Sequence, residues 1–189
     1  MSEGRNFSEI LEEHLAVVGA LAECAQVIEA IAAKMTQCLR SGGKICFMGN
    51  GGSAADSQHL AAEFVGRFQM ERGALSAIAL TTDTSVLTAV ANDYGFEAVF
   101  ERQVEALVEA RDVVVGISTS GNSPNVLRAI ARAREIGAVT VGLTGESGGA
   151  LKEGCELCLR VASAKAARIQ EGHILVGHSL CEIVETALV

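Results

Sequence analysis

Proline occurs only once in 189 residues, and the chain has no low-complexity tract and no repeated segment. Nothing of that kind marks a linker, so one domain is expected. Positive charge is also in short supply, with 15 basic against 23 acidic residues and a formal net charge of −8. Proteins that hold nucleic-acid backbones carry a basic surface, so nucleic acid is not expected as a partner. The deficit does not exclude a small anion, because a few hydroxyls and backbone N–H groups hold a phosphate locally. No unbroken apolar run approaches the roughly 20 residues of a membrane span. The opening Met1-Ser-Glu-Gly-Arg-Asn-Phe7 lacks the basic-then-apolar pattern of a secretory leader. The six cysteines (Cys24, Cys38, Cys46, Cys155, Cys158 and Cys181) include one C-x-x-C, Cys155 to Cys158, with no second pair at metal-type spacing. That pair reads as ordinary strand residues, with metal or redox use as the alternative. Together these absences predict a reduced, cytoplasmic protein with no structural disulfide and no membrane contact.

What is present is a globular composition, 49% hydrophobic and 20% charged. Apolar residues at Ile10, Leu11, Leu15, Val18 and Leu21 recur with a helical period, predicting a helix from Phe7 to about Leu21. A second helix is predicted from about Ala25 to Leu39, stopped by Gly42-Gly43. From Lys44 the rhythm becomes strand, loop, helix. Strands are expected at 44–48, 77–80, 112–117, 138–143 and, more weakly, 157–161. Helices are expected at about 54–65, 86–91, 96–109, from Pro124, and from about Arg168 to the end. The strands are almost continuously apolar, which requires burial on both faces and hence a parallel sheet covered by helices. The expected fold is α/β, a doubly wound five-stranded parallel sheet in flavodoxin-like order 2-1-3-4-5. Residues 1–41 would form an N-terminal helical extension and residues 42–189 the core.

In such a sheet, ligands bind beyond the carboxyl ends of the strands where the order reverses, between strands one and three. Those strands lead into Gly49-Asn-Gly-Gly-Ser53 and Ser118-Thr-Ser-Gly-Asn-Ser123. The second loop packs four hydroxyls ahead of a helix N-terminus, which suits a phosphate; helix capping alone would need only one of them. The first loop, with Ala54, fits the G-x-G-x-x-A form of a dinucleotide fingerprint. The pattern also wants an acidic residue about 20 positions on, ending the second strand, and the nearest strand-end candidate, Asp83, comes late, 34 residues after Gly49. Among four histidines, His59 shares a helix face with Glu63, a spacing that suits a metal and equally an ordinary helix-face contact. Gln170 and His178 lie on the last helix, about 80° apart in direction. His173 and His14 read as structural.

Taken in order, Gly49-Asn-Gly-Gly-Ser53, Gln58-His59 through Glu63 to Gly66-Arg67, Asn92-Asp93-Tyr-Gly-Phe96, Gly116-Ile-Ser-Thr-Ser-Gly-Asn-Ser123, Arg168-Ile-Gln-Glu171 and His178 resemble the bacterial phosphoheptose isomerases of the sugar isomerase (SIS) fold. The resemblance spans nearly the whole chain. It implies a homotetrameric aldose–ketose isomerase that converts sedoheptulose 7-phosphate to D-glycero-D-manno-heptose 7-phosphate through an enediol, for heptose supply to lipopolysaccharide or other surface polysaccharide. It implies one zinc ion per subunit, held by His59, Glu63, Gln170 and His178. Substrate contacts would come from Asn50, Gly51, Gly52, Ser53, Glu63, Asn92, Asp93, Ser118, Thr119, Ser120, Ser123 and Gln170. Glu63 would be the base and His178 the acid. Related SIS proteins without catalysis, associated with the replication initiator, are the alternative; they would be expected to lack the full His/Glu/Gln/His set. The chain departs from the family just before Arg168, where Ser163-Ala-Lys-Ala-Ala167 carries Lys165 and no acidic residue.

Overall fold

The computed structural model describes residues 5–189; Met1–Gly4, part of the opening stretch read above for a leader pattern, lie outside them. The first helix, α1 (Phe7–Ala20), starts at Asn6, and Asn6 and Glu9 exchange side-chain and backbone hydrogen bonds at 3.1 Å in a capping box. A 3-10 turn at Leu21–Cys24 joins it to α2 (Ala25–Arg40). Then follow β1 (Ile45–Gly49), α3 (Gly52–Val65), β2 (Ala77–Ala79), α4 (Thr84–Tyr94), a 3-10 turn at Phe96–Ala98 and α5 (Glu101–Leu107). The second half comprises β3 (Val113–Ile117), α6 (Pro124–Ile136), β4 (Val139–Thr144), the one-turn α7 (Leu151–Gly154), β5 (Leu157–Arg160) and α8 (Ala166–Leu188).

The five strands are parallel in the order β2-β1-β3-β4-β5, so the expected doubly wound sheet is the observed one. Alternation along the strands sorts the core into two layers. Ile45, Phe47, Val113, Val115 and Ile117 face α2, α3 and α8, while Cys46, Met48 and Val114 face α5 and α6. Every residue of β1 and β3 is buried, which is why these strands read as unbroken apolar runs.

Several boundaries differ from the sequence reading, most by one or two residues. α3 begins at Gly52 because Gly51, at φ 57°, turns the chain directly into helical geometry. α4 runs on through Asn92, Asp93 and Tyr94, since nothing breaks it before Gly95 at φ 87°. The expected 96–109 helix is a 3-10 turn followed, after Val99 and Phe100, by a seven-residue α5. The N-terminal helices are also less of an appendage than expected. Ile31 and Met35 of α2 are wholly buried beside Ile45 and Phe47, so α2 is a wall of the core.

Counted as a rod, Phe7–Arg40 is long and apolar enough, by length and composition, to cross a membrane. Part of its apolar character is already used within the chain, in Val17, Leu21, Ile31, Met35 and Cys38. All six cysteines are free thiols.

Candidate functional site

The reversal of strand order falls between β1 and β3, where Gly49 and Ile117 are register partners. The two polar loops therefore leave adjacent strand ends, as the topology requires. In the second loop Gly121 has φ 66°, and a Cβ there would lie 2.0 Å from the Gly148 carbonyl oxygen, so glycine is demanded both by conformation and by space. Ser118 Oγ pairs with Ser123 Oγ at 2.9 Å and stands 3.5 Å from Ser120 Oγ. Ser123 is the N-cap residue of α6, yet its side chain makes no capping bond. The Ser118 and Ser123 hydroxyls face each other rather than the helix amides, and Ser120 Oγ accepts from the Asn122 N–H at 3.1 Å within the loop. Capping alone does not account for them, whereas a shared anionic guest does.

A second cluster lies farther along α3. His59 Nε2 is 2.8 Å from His178 Nε2 and 3.4 Å from a Glu63 carboxylate oxygen. The two imidazole rings sit 5.0 Å apart, and Phe68 tilts against His178 at 5.5 Å. Two helices gather these groups. A Cβ on Gly52 would meet the Gln170 carboxamide at 2.6 Å, and one on Gly177 would meet Leu60 at 2.6 Å. Residue 52 thus faces 170, and 60 faces 177, so α3 and α8 run side by side in the same direction. The helical rise puts Gln170 about 12 Å along the axis from His178.

The groups at the lower level, two imidazoles and a carboxylate, are of the types that ligate zinc, and His59 is half exposed. Among the described residues no group of three His, Cys, Asp or Glu is already spaced to coordinate a metal. The two Nε2 atoms share a hydrogen bond instead, and tetrahedral ligation at ordinary zinc–nitrogen lengths would part them to about 3.3 Å. Gln170 is not gathered with the other three; it rests against Gly52 at the level of the loops. Asn92 and Asp93 stand exposed at the end of α4, hydrogen-bonded to each other at 2.8 Å. Asn50, Gly51, Gly52, Ser53, Ser118, Thr119, Ser120 and Ser123 lie in the two loops or at the helix starts that follow them.

Four residues of this region escaped the sequence reading. Asp56, three positions before His59, has a buried Oδ2 with no hydrogen-bond partner; burial pushes its carboxyl up, against the pull of His59 and His178. The i, i+3 spacing to His59 was the available signal. Phe68 and Glu185 meet the site only through tertiary structure. Glu185 accepts hydrogen bonds from the backbone N–H groups of Phe68, Gln69 and Met70 at 2.8–3.0 Å, and from Arg72 at 2.9 Å. It thereby fixes the turn that carries Phe68 to His178. The fourth, Asn125, is buried behind Asn50. Lys165, the departure noted above, forms an ion pair with Glu13 of α1 at 2.7 Å, and holds the Glu13 carboxyl down at about 2 together with Arg5.

The SIS domain family matches residues 11–145 of the chain. A phosphoheptose isomerase of Pelobacter propionicus is 60% identical over 158 residues, covering 84% of each chain. That of Geobacter sulfurreducens is 54% identical over 185 residues, covering 98% of this chain and 93% of its own. The solved phosphoheptose isomerase from Neisseria gonorrhoeae superposes with a TM-score of 0.85 at 44% identity, over 96% of this chain and all of that one.

Proposed function

The chain belongs to the phosphoheptose isomerases of the SIS-domain family, and from that membership we propose that it interconverts sedoheptulose 7-phosphate and D-glycero-D-manno-heptose 7-phosphate through an enediol. The single observation that carries this reading is a carboxylate, Glu63, set 3.4 Å from one imidazole that itself meets a second at 2.8 Å. A purely regulatory SIS domain has no need of that arrangement.

The phosphate is held by Ser118, Thr119, Ser120 and Ser123 at the start of α6, where the helix dipole favours an anion. Asn50 to Ser53 and Gln170 meet the sugar, and Asn92 and Asp93 are further contacts. Binding the distant phosphate orients the carbonyl end toward Glu63 and His178. Glu63 takes the proton from the carbon beside the carbonyl and returns it to the neighbouring carbon. His178 manages the hydroxyl proton of the same step. A zinc ion held by His59, Glu63, Gln170 and His178 supplies, when bound, a Lewis acid for the developing enediolate oxygen.

We assign the protein to a homotetramer in the cytoplasm, feeding heptose to surface polysaccharide. Phe7, Leu11 and Leu15 on α1 and Leu175 and Ile183 on α8 stay exposed, and apolar groups clustered this way suit contact between copies. The spacing of Gln170 from His178 along α8 favours a site completed across such a contact. The test is direct: purified protein is incubated with sedoheptulose 7-phosphate and aldose phosphate is followed by chromatography. Turnover to the heptose 7-phosphate is expected, and absence of any aldose product in the presence of added zinc would overturn the reading.

A further inference from the structure

The β-ladder sets the spacing of β1 and β3 only as far as Gly49 and Ile117. Beyond them the two loops are anchored separately. The amide of Ser118 donates to Leu143 of β4, while Ser53 donates back to Asn50 within its own loop. Among the described residues no backbone hydrogen bond joins residues 50–53 to residues 118–123.

Two side chains make the connection. Asn125, in the first turn of α6, is 2% exposed. Its Oδ1 accepts from the Val126 N–H at 3.0 Å, which fixes which way the carboxamide faces. Asn50 Nδ2 donates to that same oxygen at 2.9 Å, and Asn125 Nδ2 donates back to Asn50 Oδ1 at 2.9 Å. The pair is reciprocal, so each amide offers the other both its donor and its acceptor. The Asn50 side chain is thereby committed inward, and its loop meets a sugar mainly through backbone.

We infer that Asn125 is a positioning residue which, paired with Asn50, clips the Gly49–Ser53 loop to the start of α6 and fixes the distance between the phosphate-holding loop and the sugar-holding loop. The inference rests on the proposed function, because it assigns those two parts of the ligand to those two loops. A clip of this kind matters only to a ligand that spans both loops. Inorganic phosphate, which needs the hydroxyl loop alone, should not feel its loss, whereas a sugar phosphate should.

The test uses the full chain, with Asn125→Ala, Asn50→Ala and the double variant, assayed with sedoheptulose 7-phosphate and with inorganic phosphate as competitive inhibitor. Asn125→Ser, which adds no charge beside the phosphate-holding loop and removes the reciprocal amide pair with Asn50, serves if the alanine variant does not fold. The expected result is a fall of tenfold or more in kcat/KM, carried by KM at least in part, with the phosphate inhibition constant within twofold of the unaltered protein. The double variant should be no worse than the weaker single, since both members act through one contact. Three results would each overturn the inference: kcat/KM within twofold of the unaltered protein, phosphate inhibition weakened in parallel with kcat/KM, or single effects that multiply in the double. Failure of the unaltered protein to isomerise the sugar would instead count against the proposed function.

Discussion

Replacing His173 with glutamine should remove the steepest part of the protein's sensitivity to mild acid. His173 sits inside α8 at 1% exposure and donates from Nε2 to the Thr144 carbonyl at 3.1 Å. That bond leaves Nδ1 as the lone-pair nitrogen, and it is buried with no partner. A second proton would therefore create an imidazolium with one N–H facing nothing. Burial depresses the pKa to about 4 from 6.5, and the Thr144 carbonyl only partly offsets this. The unfolded chain takes up the proton near pH 6.5 and the folded one does not, so folding is penalised as the pH falls below that value. Integrated from pH 7.5 to pH 5, the difference is about 2 kcal/mol of stability, rising to about 3 near pH 4.

The assay is urea unfolding of both proteins at half-unit steps from pH 7.5 to 5, at one protein concentration. Glutamine keeps a donor for Thr144 and does not titrate in this range. Glu185 stays outside the window: burial alone would raise it, but its three amide donors and Arg72 hold it at about 2, so its contribution is lost only as the pH falls below 4.5. The unaltered protein should lose about 2 kcal/mol more than His173→Gln across the range. Parallel pH dependence in the two proteins would refute the argument from the orphaned nitrogen.

Glu63→Gln should fold and retain sugar-phosphate binding while losing roughly 10²-fold or more of turnover, as removal of a general base does; isothermal titration beside a rate assay separates the two, and near-normal turnover would exclude Glu63 as the base. Chelation should abolish isomerase activity and zinc should restore it, read together with metal content by atomic absorption; full activity in a metal-free preparation would remove the zinc assignment. Glu185→Leu leaves three amides without an acceptor and the Arg72 charge without its carboxylate, held only by backbone carbonyls such as those of Phe64 and Glu63, in a site where the two side chains are 2% and 5% exposed, and should cost about 3–5 kcal/mol in denaturant unfolding. A loss below about 1 kcal/mol would mean that water replaces the carboxylate there.

Sheet, strand order and the position of the loops were legible because they follow from local pattern. Buried strands such as Val113–Ile117 announce themselves as unbroken apolar runs, and the switch point then follows from topology. Helix ends were less legible, since Gly51 and Gly95 act through φ values that a sequence does not state. The N-terminal helices illustrate a second limit. Leu11 and Leu15 of α1 and Ile31 and Met35 of α2 each follow a helical apolar spacing, yet the first two are exposed and the last two wholly buried. Periodicity reports an apolar face without saying which surface covers it.

The residues that escaped notice share one property: their partners are far away in sequence. Asn125 answers Asn50 across 75 positions, and Glu185 answers the 68–70 turn across more than 110. Neither residue type is unusual in a helix, so only the fold makes them informative. The same reasoning bears on the expected metal ligands. His59 and Glu63 are local neighbours, and their meeting with His178 is produced by Gly177, which lets Leu60 approach and draws α3 against α8. A side chain at Gly177 would have to displace Leu60, which is 2% exposed, and would push the two imidazoles apart. The glycine at 177, next to His178 and itself without chemistry, is thus a structural condition for the cluster, and the loop-level contact between Gly52 and Gln170 is the second place where α3 and α8 must approach as closely.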